Sequence, residues 1–313
     1  MSNFNFGIVT PIWKTDYLYL KETIDSVNSL FRSGITFKWS IVIDGDKRDI
    51  NDFLRENVDP LLLQVCSIKI LDKCCGPSFS RNIGVKILDS EFICWLDGDD
   101  TIDIQNFILV FNELNSKGES FWNNYDLVYT DSYDCDSRLK VMSIREKKFI
   151  HDLHCKYKNT EFDPLLGVDF VYQMQFIKRD TFLSVGGFNE QLILGEDVDL
   201  ILRISERSKN INLFHIPIPV YYYRDSPDGR CNSRWEELKY QMERVYLESS
   251  KRQNLSFCVY KYIGAFALEE NIFRYIKDDG YFSHNSLYDI YLPIDENNKI
   301  MPRSYVRMQI DPQ

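Results

Sequence analysis

Three carboxylates fall within four residues at Asp97-Gly98-Asp99-Asp100, directly after the apolar run Phe92 to Leu96 (FICWL). Ionised together they repel one another, and a divalent cation that prefers oxygen ligands, Mg²⁺ or Mn²⁺, is the simplest stabiliser of such a cluster at a strand end. A solvated acidic turn capping the helix after Ile102 is the competing reading. A calcium EF-hand fits badly, because a loop starting at Asp97 places Ile108 where the bidentate Glu belongs. A second group is Gly76-Pro77-Ser78-Phe79-Ser80-Arg81-Asn82-Ile83-Gly84, which puts Arg81 and Asn82 in the first turns of a helix. Backbone N–H groups and a guanidinium there can meet an anion, although a plain helix start with a surface Arg reads the same way. A third is Gly195-Glu196-Asp197-Val198-Asp199-Leu200, whose acidic pair stands at a predicted helix start. The helix dipole stabilises negative charge at that end, and ordinary capping accounts for the same residues.

The elements around these groups alternate. Phe6 to Thr10 (FGIVT) reads as a strand ending at Pro11, followed by a helix with Leu20, Ile24, Val27 and Phe31 on one face. Trp39 to Ile43 is a second strand, running into Asp44-Gly45-Asp46, and Ile50, Phe53, Leu54 and Asn57 give a weaker helical stripe. Val65 to Leu71 is a third strand, Ser78 to Leu88 a helix with Phe79, Ile83 and Ile87 aligned, and Phe92 to Leu96 a fourth strand. Such alternation implies a mostly parallel sheet covered on both faces, with ligands bound beyond the carboxyl ends of its strands. The pattern changes near Asn115. Asp126 to Thr130, Leu139 to Ile144 and Val168 to Ile177 are strand candidates, and a helix containing Leu200, Ile201 and Ile204 follows Gly195. His215 to Tyr223 (HIPIPVYYY) is a strand interrupted by two prolines, and helical, aromatic-rich text follows Arg234.

Composition bounds the function. Of 313 residues, 44% are hydrophobic and 27% charged, which suits a packed globular chain. A net charge of -10 argues against a broad electrostatic grip on nucleic acid or anionic lipid. No apolar stretch reaches membrane-span length and the start lacks signal-peptide character, so a cytoplasmic protein is expected. Eight scattered cysteines without a C-x-x-C pair give little support to a disulfide framework, and Cys135, His151, His154 and Cys155 follow no common zinc spacing.

The order FGIVTPIWK, WSIVIDGD, GPSFSRNIG, FICWLDGDD and VGGFNEQLILGEDVDLILR resembles the inverting glycosyltransferases of family 2, over roughly residues 5 to 235. That resemblance implies the α/β GT-A fold, a Rossmann-like central sheet flanked by helices, with a C-terminal helical extension. It also implies a nucleotide-sugar-binding half over 1–115, an acceptor-binding half of the same domain over 116–234, and the extension over 235–313. Thr10 and Pro11 would border the nucleobase, Asp44 would accept from the uracil or ribose, and Arg81 would reach the base or diphosphate. Asp97 and Asp99 fill the D-x-D positions, Asp99 being the preferred ligand of Mn²⁺ or Mg²⁺. Asp197 takes the general-base position, with Glu196 its neighbour and nearest competitor.

One departure stands out. Many relatives carry Tyr-Arg-x-His after the last sheet strand, whereas this chain reads Tyr223-Arg224-Asp225-Ser226-Pro227, without the His. Asp225 or Asp228 would replace it as a metal ligand, and Arg230 or Arg234 would bind diphosphate. The implied activity is transfer of a sugar, from a UDP-sugar first of all, to a glycan, lipid-linked glycan, protein or other hydroxyl acceptor. A homodimer through the C-terminal helices is a further expectation. A nucleotidyltransferase usually carries a Gly-rich loop with a basic residue after its first strand, and here that place reads Thr10-Pro11-Ile12-Trp13-Lys14. A non-catalytic nucleotide- or partner-binding member is the third class.

Overall fold

The computed structural model describes residues 4–14, 16–45, 50–148, 151, 155, 175–207, 211–225, 237, 241, 244, 245, 248, 249 and 252. The chain falls into two compact units. One comprises Met1–Glu146, Gln173–Ile193 and Asn212–Pro227, the other Lys147–Tyr172, Leu194–Ile211 and Asp228–Gln313.

Among the described residues, the first unit is built on a 9-stranded sheet with the order β3-β2-β1-β4-β8-β6-β9-β5, and β7 pairing with β6 outside that path. Strands β1 (Phe6–Ile12), β2 (Lys38–Ile43), β3 (Cys66–Ile70) and β4 (Phe92–Trp95) pair in parallel, as do β6 (Leu127–Cys135) and β9 (Leu213–Arg224). Strands β5 (Thr101–Ile102), β7 (Val141–Arg145) and β8 (Gln175–Lys178) run antiparallel to their neighbours. The helices are α1 (Leu20–Arg32), α2 (Ile50–Asn57), α3 (Pro60–Val65), α4 (Pro77–Ile87), α5 (Ile104–Lys117), α6 (Glu119–Trp122) and α7 (Arg179–Ser184). This is the α/β architecture the alternation predicts.

Every residue of β1 is buried, as a strand covered on both faces requires. One face of the sheet puts Phe6, Ile8, Ile41, Cys94 and Leu96 into a core with Leu20, Ile24 and Val27 of α1 and Phe107 and Val110 of α5. On the other face, a Cβ added to Gly84 of α4 would stand 2.3 Å from Val9 Cγ1 and 3.0 Å from Ser40 Oγ, so only glycine lets α4 lie this close to β1 and β2.

Two strands run further than the prolines suggest. The expected end of β1 at Thr10 is corrected to Ile12, with Pro11 opposite Val42. Asp44 N–H donates to the Ile12 carbonyl and Leu96 N–H to the Val9 carbonyl, so Pro11 turns its missing N–H toward β4, whose pairing has already ended at Val9. Strand β9 likewise continues through Pro217 and Pro219 by shifting register against β6 at Thr130–Ser132. The stripe Phe79, Ile83 and Ile87 is not the inward face of its helix: α4 buries Ser78, Ser80, Arg81, Asn82, Gly84 and Val85 instead, and Ile87 is exposed.

In the second unit, α8 (Glu196–Arg207) buries Val198, Leu200, Ile201, Leu202 and Ile204. Arg252 pairs with Glu206, and Gln241 accepts from Leu194 N–H at 3.0 Å. Residues 253–313, most of the expected C-terminal extension and its dimer contact, lie outside the described residues.

Candidate active site

Because β1, β2 and β4 are parallel, Ile12, Asp44 and the loop after Trp95 leave the sheet at one edge. Asp44 is buried and holds the connection between β3 and α4: it accepts from Cys75 N–H at 2.7 Å, from Gly76 N–H at 2.8 Å and from the Cys74 thiol at 3.4 Å. Gly45 makes this clamp fit, with φ +73° and room for no side chain, since a Cβ there would lie 2.1 Å from Cys74 N. Burial, with the Asp44 charge beside it, pushes the Cys74 thiol up from its ordinary pKa. Thr10 is fully buried and its hydroxyl accepts from the Trp39 indole N–H at 2.9 Å, a core contact between β1 and β2. Pro11 is buried beside it.

The three carboxylates of the acidic loop go to different places. Asp97 and Asp99 are half-buried, and Asp100 is buried. The Arg81 guanidinium reaches Asp97 from α4, with one Nη2 at 2.7 Å and 3.0 Å from the two carboxylate oxygens. Asp100 turns into the fold, where its two oxygens accept from the Tyr221 hydroxyl and from Arg224 N–H, each at 2.7 Å. Tyr221 in turn accepts from Asp97 N–H at 3.2 Å. Burial, then the neighbouring charges of Asp99 and Asp97, pushes the Asp100 carboxyl well above the usual carboxylate range, and burial beside Asp100 likewise raises the Tyr221 phenol. Thr23 of α1 fixes the loop from a further side by donating to the Gly98 carbonyl at 2.9 Å.

Helix α4 is inverted because its polar side carries this chemistry. Arg81 is buried with its guanidinium 5.4 Å from the Phe188 ring centroid, and Phe188 stands against Trp95 with centroids 5.0 Å apart. Asn82 pairs with the Phe188 backbone in both directions, donating to its carbonyl at 3.0 Å and accepting from its N–H at 2.9 Å, and also donates to Glu190 at 2.9 Å. Ser78 donates to the Leu192 carbonyl at 3.0 Å. The segment following α7 is therefore laced to the helix that supplies Arg81.

Within the second unit, Glu196 is buried, Asp197 half-buried and Asp199 buried at the start of α8. Asp199 is held by Arg203, one turn on, at 2.7 Å. Asp197 accepts from Val198 N–H at 2.9 Å, within the first turn where the helix dipole favours a carboxylate. Asp225 is exposed immediately after β9, where its N–H donates to the Cys135 carbonyl at 2.9 Å. Asp228, Arg230 and Arg234 lie outside the described residues.

Among the described residues, no group of three or more His, Cys, Asp or Glu side chains is gathered as a metal cage. Mg²⁺ and Mn²⁺ do not need one, since they commonly bind through one or two carboxylates, substrate phosphates and retained water. A loop presenting half-buried Asp97 and Asp99, with one carboxylate matched by a guanidinium, has a donor set that fits this mode.

Residues 8–279 match the profile described as glycosyltransferase like family 2. The chain belongs to that family. It is 24% identical over 250 residues to the minor teichoic acid biosynthesis protein GgaB of Bacillus subtilis, covering 74% of this chain and 25% of GgaB. It is 25% identical over 222 residues to the O-antigen biosynthesis protein RfbC of Myxococcus xanthus, covering 70% of this chain and 16% of RfbC. The chain thus spans a quarter or less of the length of these relatives. Among solved structures, S. aureus TarS 1-349 in complex with UDP-GlcNAc superposes with a TM-score of 0.55 at 15% identity, covering 88% of this chain and 75% of that one. The mannosyltransferase PcManGT of Pyrobaculum calidifontis, in complex with GDP-Man and Mn²⁺, gives 0.52 at 11% identity, covering 89% and 80%. The fold is GT-A, as the motif order implies.

Of the residues that hold the acidic loop, Tyr221 and Thr23 carry no motif signal, and Arg224 stands in the sequence only as the Arg of the altered Tyr-Arg-x-His segment. They belong to β9 and α1, remote in sequence from Asp97–Asp100. The run Val220-Tyr221-Tyr222-Tyr223-Arg224 is the one available signal, an aromatic strand ending in a cation.

Proposed function

We propose that this chain transfers a sugar from a nucleotide diphosphate donor, a UDP-sugar first, to a hydroxyl acceptor with inversion at the anomeric carbon. The observation that carries this reading is the acidic loop at the carboxyl end of β4, with Asp97 matched by buried Arg81 at the sheet edge that also bears Asp44. Arg81 and Asp97 would bind the donor, Asp44 would act near its base or ribose, and Asp99 would hold Mn²⁺ or Mg²⁺. When bound, the cation supplies charge stabilisation to the leaving diphosphate. Asp197 would take the proton of the acceptor hydroxyl as its oxygen bonds to the anomeric carbon and the bond from that carbon to the diphosphate oxygen breaks. The half-buried position of Asp197 at a helix start, against an Asp199 committed to Arg203, supports Asp197 as the base. Arg230 and Arg234 remain candidates for the diphosphate, and Asp225 for the place of the missing His.

The donor complexes of TarS and PcManGT support a nucleotide-sugar, and the names of GgaB and RfbC favour a surface glycan among hydroxyl acceptors. No helix among the described residues is long and apolar enough to cross a membrane, and a cytoplasmic site of action belongs to the same reading. The test is a screen of nucleotide sugars for metal-dependent release of the nucleotide. Release from UDP-sugars in Mn²⁺ is expected, and a protein that cleaves none of them while binding nucleoside triphosphates would point to nucleotidyl transfer instead.

A further inference from the structure

Arg224, the last residue of β9, has a side chain only 1% exposed, and several segments of the first unit meet on it. Its Nε donates to the Asp99 carbonyl and its Nη1 to the Ser137 carbonyl, each at 2.6 Å, while Nη2 donates to the Glu22 carboxylate. Its backbone N–H donates to Asp100 at 2.7 Å, and its guanidinium lies 4.1 Å from the Tyr19 ring centroid. All three guanidinium nitrogens have partners, so the planar fork fixes its acceptors relative to one another. Only the Arg224 end of its ion pair is buried, Glu22 standing exposed, so the pair contributes little net stability over a well-packed apolar side chain of similar volume. What the apolar side chain cannot do is grip the peptide of Asp99.

We propose that Arg224 is the positioning residue of the acidic loop, gripping the Asp99 carbonyl and thereby setting how the Asp99 carboxylate is presented to the donor diphosphate and its cation. The inference rests on the donor reading above. Lysine carries the charge but cannot reach the Asp99 carbonyl, the Ser137 carbonyl and Glu22 together, so Arg224→Lys separates charge from geometry.

The test titrates Mn²⁺ into the full chain with UDP present and follows the signal of free aqueous Mn²⁺ by electron paramagnetic resonance, alongside thermal melting and steady-state kinetics. Arg224→Lys should melt cooperatively yet raise the half-saturating Mn²⁺ concentration by about tenfold or more, as loss of groups that orient a metal ligand typically does. Its kcat should recover toward the wild-type value as Mn²⁺ saturates, which a merely unstable fold would not show. Arg224→Met should shift the titration further. If neither folds, Glu22→Gln loosens the far end of the same guanidinium from an exposed position and should shift the titration by about threefold. Wild-type half-saturation in the folded variants overturns the proposal. A wild-type protein that binds neither UDP nor Mn²⁺ overturns the donor reading itself, a separate outcome.

Discussion

At the scale of single residues, the three acids at the start of α8 have separable roles. Asp199 is buried against Arg203, Glu196 is buried, and Asp197 is half-buried with one oxygen on Val198 N–H. Asp197→Asn keeps shape and removes basicity, so kcat should fall by about 10²-fold or more while the affinity for UDP changes little. Asp199→Asn should instead lower the melting temperature, because it breaks a buried ion pair. Kinetics and calorimetry on the two variants, with Glu196→Gln beside them, check the assignment; loss of turnover in Glu196→Gln alone would move the base by one residue. Asp97, Asp99 and Arg81 were legible as chemistry because carboxylates crowded after an apolar run are costly without a partner. Their division of labour was not. Asp100 points inward to Tyr221 and Arg224, and the Arg224–Asp99 contact spans 125 residues, a separation that no local spacing encodes.

At the scale of elements, alternation of apolar runs and helical stripes is enough to predict β1 to β4 and the helices between them, because each must bury one face against the same sheet. It misleads at α4. Phe79, Ile83 and Ile87 are aligned, yet the helix turns Ser78, Arg81, Asn82 and Gly84 inward, since the guanidinium must meet Asp97 and the backbone must approach β1. Gly84 is the hinge of that choice. Gly84→Ala places a Cβ 2.3 Å from Val9 Cγ1, an overpacking worth about 1–3 kcal/mol, of which alanine's better helix propensity returns about 1 kcal/mol. A net loss of about 0–2 kcal/mol by urea unfolding is expected, and a more stable variant would show that α4 does not press on β1 as described. Pro11 of β1 misleads in the same way, because whether a missing N–H ends a strand depends on which neighbour it faces.

At the scale of the whole molecule, a chain of net charge -10 has no general attraction for phosphate, so on the function proposed above a diphosphate donor would be bound locally, through Arg81, the acidic loop and a cation. Base recognition is then a separate preference. Calorimetry with UDP, GDP and dTDP in Mn²⁺ should show UDP binding tightest, and a clear preference for GDP would overturn the assignment of Asp44 and the β1 edge to a uracil site. The most direct measurement of the central claim is the rate of UDP release from UDP-sugars by wild type and Asp99→Ala, in Mn²⁺ and in EDTA. Turnover in Mn²⁺ should stop in EDTA and fall by about 10²-fold or more in Asp99→Ala, with both proteins melting alike. Undiminished turnover in EDTA, with Asp99→Ala matching wild type, would contradict it.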